Sequence, residues 1–157
     1  MEYRIATSND LYSLADMRWE FKTEGKEINP NNNKSDFIKS CVDFLEEGIE
    51  DKSWIHWIVV DNSEIISHIS VRRIRKIPKP NKFFDEYGYL TNVFTKENYR
   101  GKGIGSKLMS YVIEWAKEED LETLIVWPSD RAINFYERKG FRIQNDVMEL
   151  ELRQSID

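Results

Sequence analysis

Apolar positions along the chain fall into two spacings, one recurring every three or four residues and one dense and strand-like. Residues 2–6 open with a strand pattern, and Thr7, Ser8, Asn9 and Asp10 after it are helix-capping side chains. Leu11, Leu14, Ala15, Arg18 and Trp19 recur at helical spacing and predict a helix over 11–22. Residues 25–33, with Asn29, Pro30, Asn31, Asn32 and Asn33, read as a loop. Ser35 and Asp36 offer a cap for a second helix, striped by Phe37, Ile38, Cys41, Val42, Phe44 and Leu45 and closed by Gly48.

Residues 53–60 are rich in Trp, Ile and Val and predict a strand; Asp61, Asn62 and Ser63 turn it into a hairpin partner over 64–74. Pro78, Pro80 and several Lys and Arg mark 75–85 as an exposed loop, and 86–95 predicts another strand. A helix over 107–120 places Leu108, Met109, Val112, Ile113 and Ala116 on one stripe. A short strand over 122–127 breaks at Pro128, and a last helix, capped by Ser129 or Asp130, runs through Lys139 to Gly140. Strand patterns at 141–144 and 147–152 follow, around Asn145 and Asp146. The expected fold is α/β (α+β), one domain over residues 1–157. Its sheet is central, mixed and mostly antiparallel, with about seven strands flanked by about four helices.

Composition removes several function classes. Hydrophobic residues at 40% and charged residues at 32% are those of an ordinary globular chain. A net charge of -5 with interspersed signs argues against a nucleic-acid binder, and it mildly favours cationic acceptors. Cys41 is the only cysteine, which excludes an internal disulfide and a Cys-rich zinc site. His56 and His68, the only histidines, make a His-based metal site unexpected and read as core or sheet-face residues. The first residues lack the apolar core of a signal peptide, and no stretch is long enough to span a bilayer. A cytoplasmic setting without membrane association is the expectation.

Tyr99-Arg100-Gly101-Lys102-Gly103-Ile104-Gly105-Ser106 stands between a strand and a helix. Glycines let the backbone approach a ligand closely, and a helix N-terminus offers unpaired N–H groups and positive dipole. The segment therefore reads either as a plain Gly-rich turn or as an anion cradle suited to a pyrophosphate, with Arg100 and Lys102 adding charge. It matches neither the phosphate loop, which needs Gly-Lys-Ser/Thr, nor the dinucleotide fingerprint, because its glycines run as G-x-G-x-G.

The stretch from Asn92-Val93-Phe94-Thr95 through Arg100, Gly103 and Gly105 resembles the [R/Q]-x-x-G-x-[G/A] motif of the Gcn5-related N-acetyltransferases. A second block, Ala132-Ile133-Asn134-Phe135-Tyr136-Glu137-Arg138-Lys139-Gly140-Phe141, is similar to that family's late A-x-x-x-Y-x-x-x-G-F helix. The resemblance implies the acyl-CoA N-acyltransferase fold, with acetyl-CoA as co-substrate and no metal. It implies that backbone N–H groups of Gly101, Lys102, Gly103, Ile104, Gly105 and Ser106 hold the pyrophosphate. It implies too that Val93, Phe94 and Thr95 pair with the pantetheine arm as an added strand would.

Tyr136 is implied as the general acid for the leaving thiolate. Ser129, where the family often has Asn, is left with one hydrogen bond to the arm or with a helix-capping role. Arg18, Trp19 and Glu20 border the acceptor side in the family, though Trp19 also reads as core. Asp85 or Glu86 is a candidate to take the amine proton through water, and Asn92 to position that water. The expected reaction is acetyl transfer to a primary amine of a small molecule in a ternary complex. The alternatives are a protein N-terminus or lysine as acceptor, or a non-catalytic acyl-CoA-binding regulatory domain. A homodimer is compatible with the resemblance.

Overall fold

A computed structural model describes residues 1–153. The chain divides into two compact units, Met1–Trp127 and Pro128–Asp157. The first holds a five-stranded sheet in sequence order: β1 (Glu2–Ile5), β2 (Trp54–Asp61), β3 (Glu64–Arg75), β4 (Glu86–Thr95) and β5 (Leu124–Val126). Neighbouring strands are antiparallel except β4 and β5, which are parallel. The parallel pair follows from α3 (Ile104–Glu118), which crosses back along the sheet before β5 begins.

β3 is buried without interruption from Ile65 to Val71, the mark of a strand covered on both faces. One cover is α1 (Leu11–Thr23) with α2 (Lys34–Glu50), whose Leu11, Leu14, Ala15, Met17, Ile38 and Leu45 pack with Ile58, Ile65 and Phe94. On the other face α3 buries Leu108, Met109 and Val112 completely. Each such side chain contributes roughly 1.5–3 kcal/mol.

Several boundaries differ from the sequence expectation for local reasons. Asn33, not Ser35 or Asp36, caps α2: its side-chain oxygen accepts from the Ser35 and Asp36 N–H groups at 2.9 and 3.3 Å. Gly48 does not stop α2, which runs to Glu50; a Cβ there would stand 2.7 Å from the Trp54 ring, so this glycine admits β2 against the helix. Asn62 and Ser63 both take positive φ, 48° and 65°, the two-residue turn that matches strand twist. α3 starts at Ile104, earlier than expected.

The second unit carries α4 (Ile133–Arg138), entered through a 3-10 turn at Asp130–Ala132. Gly140 (φ 93°) ends it, with the Phe141 N–H donating to the Tyr136 carbonyl at 3.1 Å and the Gly140 N–H to Glu137 at 3.0 Å. The expected strands at 141–144 and 147–152 are absent, so among the described residues the sheet has five strands and not seven. Their alternating pattern is present, but Ile143, Val147, Leu150 and Leu152 are exposed. A strand exists through its partner's hydrogen bonds, which periodicity alone does not supply.

Candidate active site

β4 is bulged where the sequence motif begins. Its register with β3 pairs His68 with Phe94 and Ser70 with Thr91, so Asn92 and Val93 together oppose Ile69. Asn92 takes φ 54°, and its carbonyl lies 2.6 Å from Nδ1 of the buried His68. Pairing with β5 stops at Leu90, leaving Thr91 to Thr95 without a β5 partner on that edge. This stretch of β4 thus presents an edge free of β5, although the Phe94 carbonyl accepts from Ser67 Oγ at 3.0 Å and the Thr95 carbonyl from Arg100. The side chain of Phe94 is core, stacked on Phe21 with ring centroids 5.0 Å apart.

Beyond β4 the chain turns into α3 through two glycines in left-handed conformation, Gly101 (φ 73°) and Gly103 (φ 77°). A Cβ at either would meet nothing within 4 Å, so the space over the turn is open. Lys107 makes the first hydrogen bond of the helix, N–H to the Gly103 carbonyl at 3.0 Å. The N–H groups of Ile104, Gly105 and Ser106 therefore have no acceptor within the helix. Ile104 is anchored in the core, which fixes these donors.

Arg100 is engaged in holding the turn: its Nε donates to the Thr95 carbonyl at 2.8 Å and its Nη2 to Glu24 at 2.7 Å. Lys102 is exposed, with its ammonium 5.6 Å above the Tyr99 ring. Open donors, positive helix dipole and an unpaired strand edge suit a ligand that is anionic at one end and amide-rich along its length.

A cavity of about 300 Å³ opens in the same unit, bounded by α1, α2 and the strands β2 to β4. Among its walls are Arg18, Phe44, Trp54, His56, Tyr89 and Asn92. A chain of polar contacts fixes one side. Arg18 Nη1 donates to Asn92 Oδ1 at 3.1 Å, Asn92 Nδ2 donates to Ser70 Oγ at 3.3 Å, and Ser70 Oγ lies 2.7 Å from His56 Nδ1. Burial lowers the pKa of both His56 and His68 to about 4, so both are neutral at physiological pH. Phe44, Cys41 and Ser70 escape a motif-based reading. The signal for Ser70 is polarity inside a buried strand, directly opposite His56.

Trp19 packs on Phe37, with centroids 5.4 Å apart, so it belongs to the helical layer. Asp85 and Glu86 are held in ion pairs. Glu86 accepts from Arg73 at 2.8 Å, and Asp85 has Lys82, Lys76 and Lys79 at 3.4, 3.5 and 3.9 Å. Burial raises the pKa of Asp85, but the lysines outweigh it and hold it below the ordinary carboxylate value. Neither is poised as a base. Among the described residues no cluster of three or more His, Cys, Asp or Glu could hold a metal, and no helix is long and apolar enough to cross a membrane.

In the second unit Tyr136 is buried, edge-on to Phe135 and Phe141 with centroids 5.2 and 5.4 Å away. Burial pushes its hydroxyl pKa up, so it stays protonated. Ser129 occupies the cap position through its carbonyl, which accepts from the Ala132 N–H at 2.9 Å; its side chain makes no capping bond.

A bulged strand with an edge free of β5, leading through left-handed glycines into a helix, defines an α/β protein whose turn suits an extended anionic ligand. The sequence profile of the acetyltransferase (GNAT) family matches residues 11–141, and the chain belongs to this family of acyltransferases. A glucosamine 6-phosphate N-acetyltransferase of Trypanosoma brucei brucei is 31% identical over 65 residues, 41% of this chain and 44% of that protein. An uncharacterised N-acetyltransferase of Bacillus subtilis is 33% identical over 60 residues, 36% of this chain and 24% of its own. The chain thus spans less than half the length of these curated relatives. Among solved structures, a predicted acetyltransferase with acetyl-CoA from Clostridium acetobutylicum superposes with TM-score 0.74 at 24% identity, covering 96% of each chain. At that identity the likeness is one of fold.

Proposed function

We propose that the chain transfers the acetyl group of acetyl-CoA to a primary amine of a small molecule, by direct attack in a ternary complex. The observation that carries this reading is the open edge of β4 at Thr91 to Thr95, which leads into the Gly101–Gly103 turn. The residues present fit the co-substrate: strand-edge main chain at Val93, Phe94 and Thr95 for the amide-bearing arm, and N–H groups of residues 101–106 for the pyrophosphate. Bound there, acetyl-CoA supplies an activated thioester. The Val93 N–H at the bulge polarises the carbonyl oxygen. The N–C bond forms as the C–S bond breaks; the amine sheds its proton to solvent, and the sulfur takes the proton of Tyr136. Burial, by raising its pKa, keeps Tyr136 in the protonated form that can donate. Ser129, its hydroxyl unused in capping, adds one hydrogen bond to the arm.

Amine-dependent thiol release from acetyl-CoA tests the reading. Tyr136→Phe should lower kcat by at least about 100-fold while CoA still binds. Unchanged kcat removes the acid role. CoA binding without thiol release for any amine or peptide offered leaves a binding domain instead.

A further inference from the structure

The wall of the cavity holds a cation without a counter-ion. Arg18 is half-buried on α1, and among the described residues its one hydrogen bond is that from Nη1 to Asn92. No carboxylate lies within 4 Å of it among the described residues. Lys22, one helical turn on, likewise has no acidic partner there, and burial followed by Arg18 itself lowers its pKa. Like charges one turn apart disfavour the helix, and a guanidinium withdrawn from water is costly unless an anion meets it. Nε and Nη2 of Arg18 remain as a pair of parallel donors, the fork that a carboxylate matches.

The rest of the cavity is of different character. Phe44, Trp54 and Leu45 add aromatic and aliphatic surface to the lining, Trp54 stacked on His56 at 6.0 Å. Phe44 and Trp54 meet edge to face at 5.7 Å, which gives a continuous apolar wall. His56, neutral, adds no second charge.

We propose that this cavity takes an amino acid with an apolar side chain, its carboxylate received by Arg18 and its side chain laid against the wall that Phe44 and Trp54 form. The proposal rests on the acetyl-transfer reading and specifies its acceptor. Position argues for an α-amine. Arg18 is bonded to Asn92, and Asn92 adjoins Val93 in the bulge where the thioester carbonyl is assigned. An acceptor anchored at Arg18 is therefore held beside the bulge, which favours a nucleophile close to its anion. Lys22 is not among the residues lining the cavity, so Arg18 alone faces it there, and one guanidinium balances one negative charge, which suits a carboxylate better than a phosphate dianion.

The test compares phenylalanine and leucine with phenylalaninamide, phenethylamine and glucosamine 6-phosphate, read both as thiol release from acetyl-CoA and as thermal shift in the presence of CoA. Wild type should favour phenylalanine over its amide in kcat/KM by about 100-fold, the loss expected when a half-buried guanidinium goes without its carboxylate. Arg18→Met should erase that preference, leaving amide and acid within a few fold, and should abolish the shift given by phenylalanine. Preference for phenethylamine or glucosamine 6-phosphate would overturn the proposal. So would an Arg18→Met enzyme that loses all amines equally, since Arg18 would then serve only to hold Asn92. Arg18-dependent phenylalanine binding without thiol release keeps the carboxylate site and rejects acetyl transfer. Thiol release with other amines but no Arg18-dependent binding does the reverse.

Discussion

His56 and His68 lie in strands among Ile, Trp and Val, and burial alone decides their chemistry. Each is held at a pKa of about 4, against 6.5 when exposed. Between those values the unfolded chain binds more protons than the folded one, so stability falls as pH drops through the window and is unaffected by these groups above it. Two such groups give a slope of at most about 2.7 kcal/mol per pH unit. Urea midpoints should therefore fall from pH 6.5 towards 4, and His68→Gln should fall about half as steeply; a midpoint independent of pH contradicts the assignment. Residue identity made both histidines legible as buried. The partner of Arg18 was not legible, because Asn92, and Ser70 behind it, are brought there through strand register, which no local pattern encodes.

At the scale of elements, Gly48 shows why one residue type carries two signals. In sequence a glycine near the end of an apolar stripe reads as a helix stop. In the fold it sits inside α2 because the Trp54 side chain occupies the place of a Cβ, 2.7 Å from Cδ1. Gly48→Ala should cost about 1–3 kcal/mol, since the contact is with a packed ring that has little room to retreat. A drop in Tm of several degrees checks this, at roughly 2–4 °C per kcal/mol for a chain of this size. A variant as stable as wild type would show that Trp54 is free to move. Gly140 was read correctly, because the left-handed stop is a local backbone requirement. The strands at 141–144 and 147–152 were misread because a strand is defined by its neighbour.

Over the whole molecule, the order of elements carried most of the architecture. A hairpin-linked antiparallel run followed by a strand–helix–strand unit leaves little choice but a mixed sheet, and β1 to β5 lie in sequence order. The β4 bulge was invisible at that level, although the motif beginning at Asn92 coincides with it. If the bulged edge and the glycine turn bind CoA, the folded state gains stability that the unfolded chain cannot share. At about 100 times Kd the gain is about 2.7 kcal/mol, or roughly 5–11 °C in Tm. Gly103→Ala places a Cβ at φ 77°, in a conformation that costs a side chain roughly 1–2 kcal/mol. It should lower the Tm of the free protein and shrink the shift at the same CoA concentration. Tyr136→Phe should keep the full shift, because proton donation acts on the leaving sulfur and not on the resting complex. A Gly103→Ala protein with an undiminished shift would remove the turn from the binding site. Loss of the shift in Tyr136→Phe would make that hydroxyl a binding group in place of an acid.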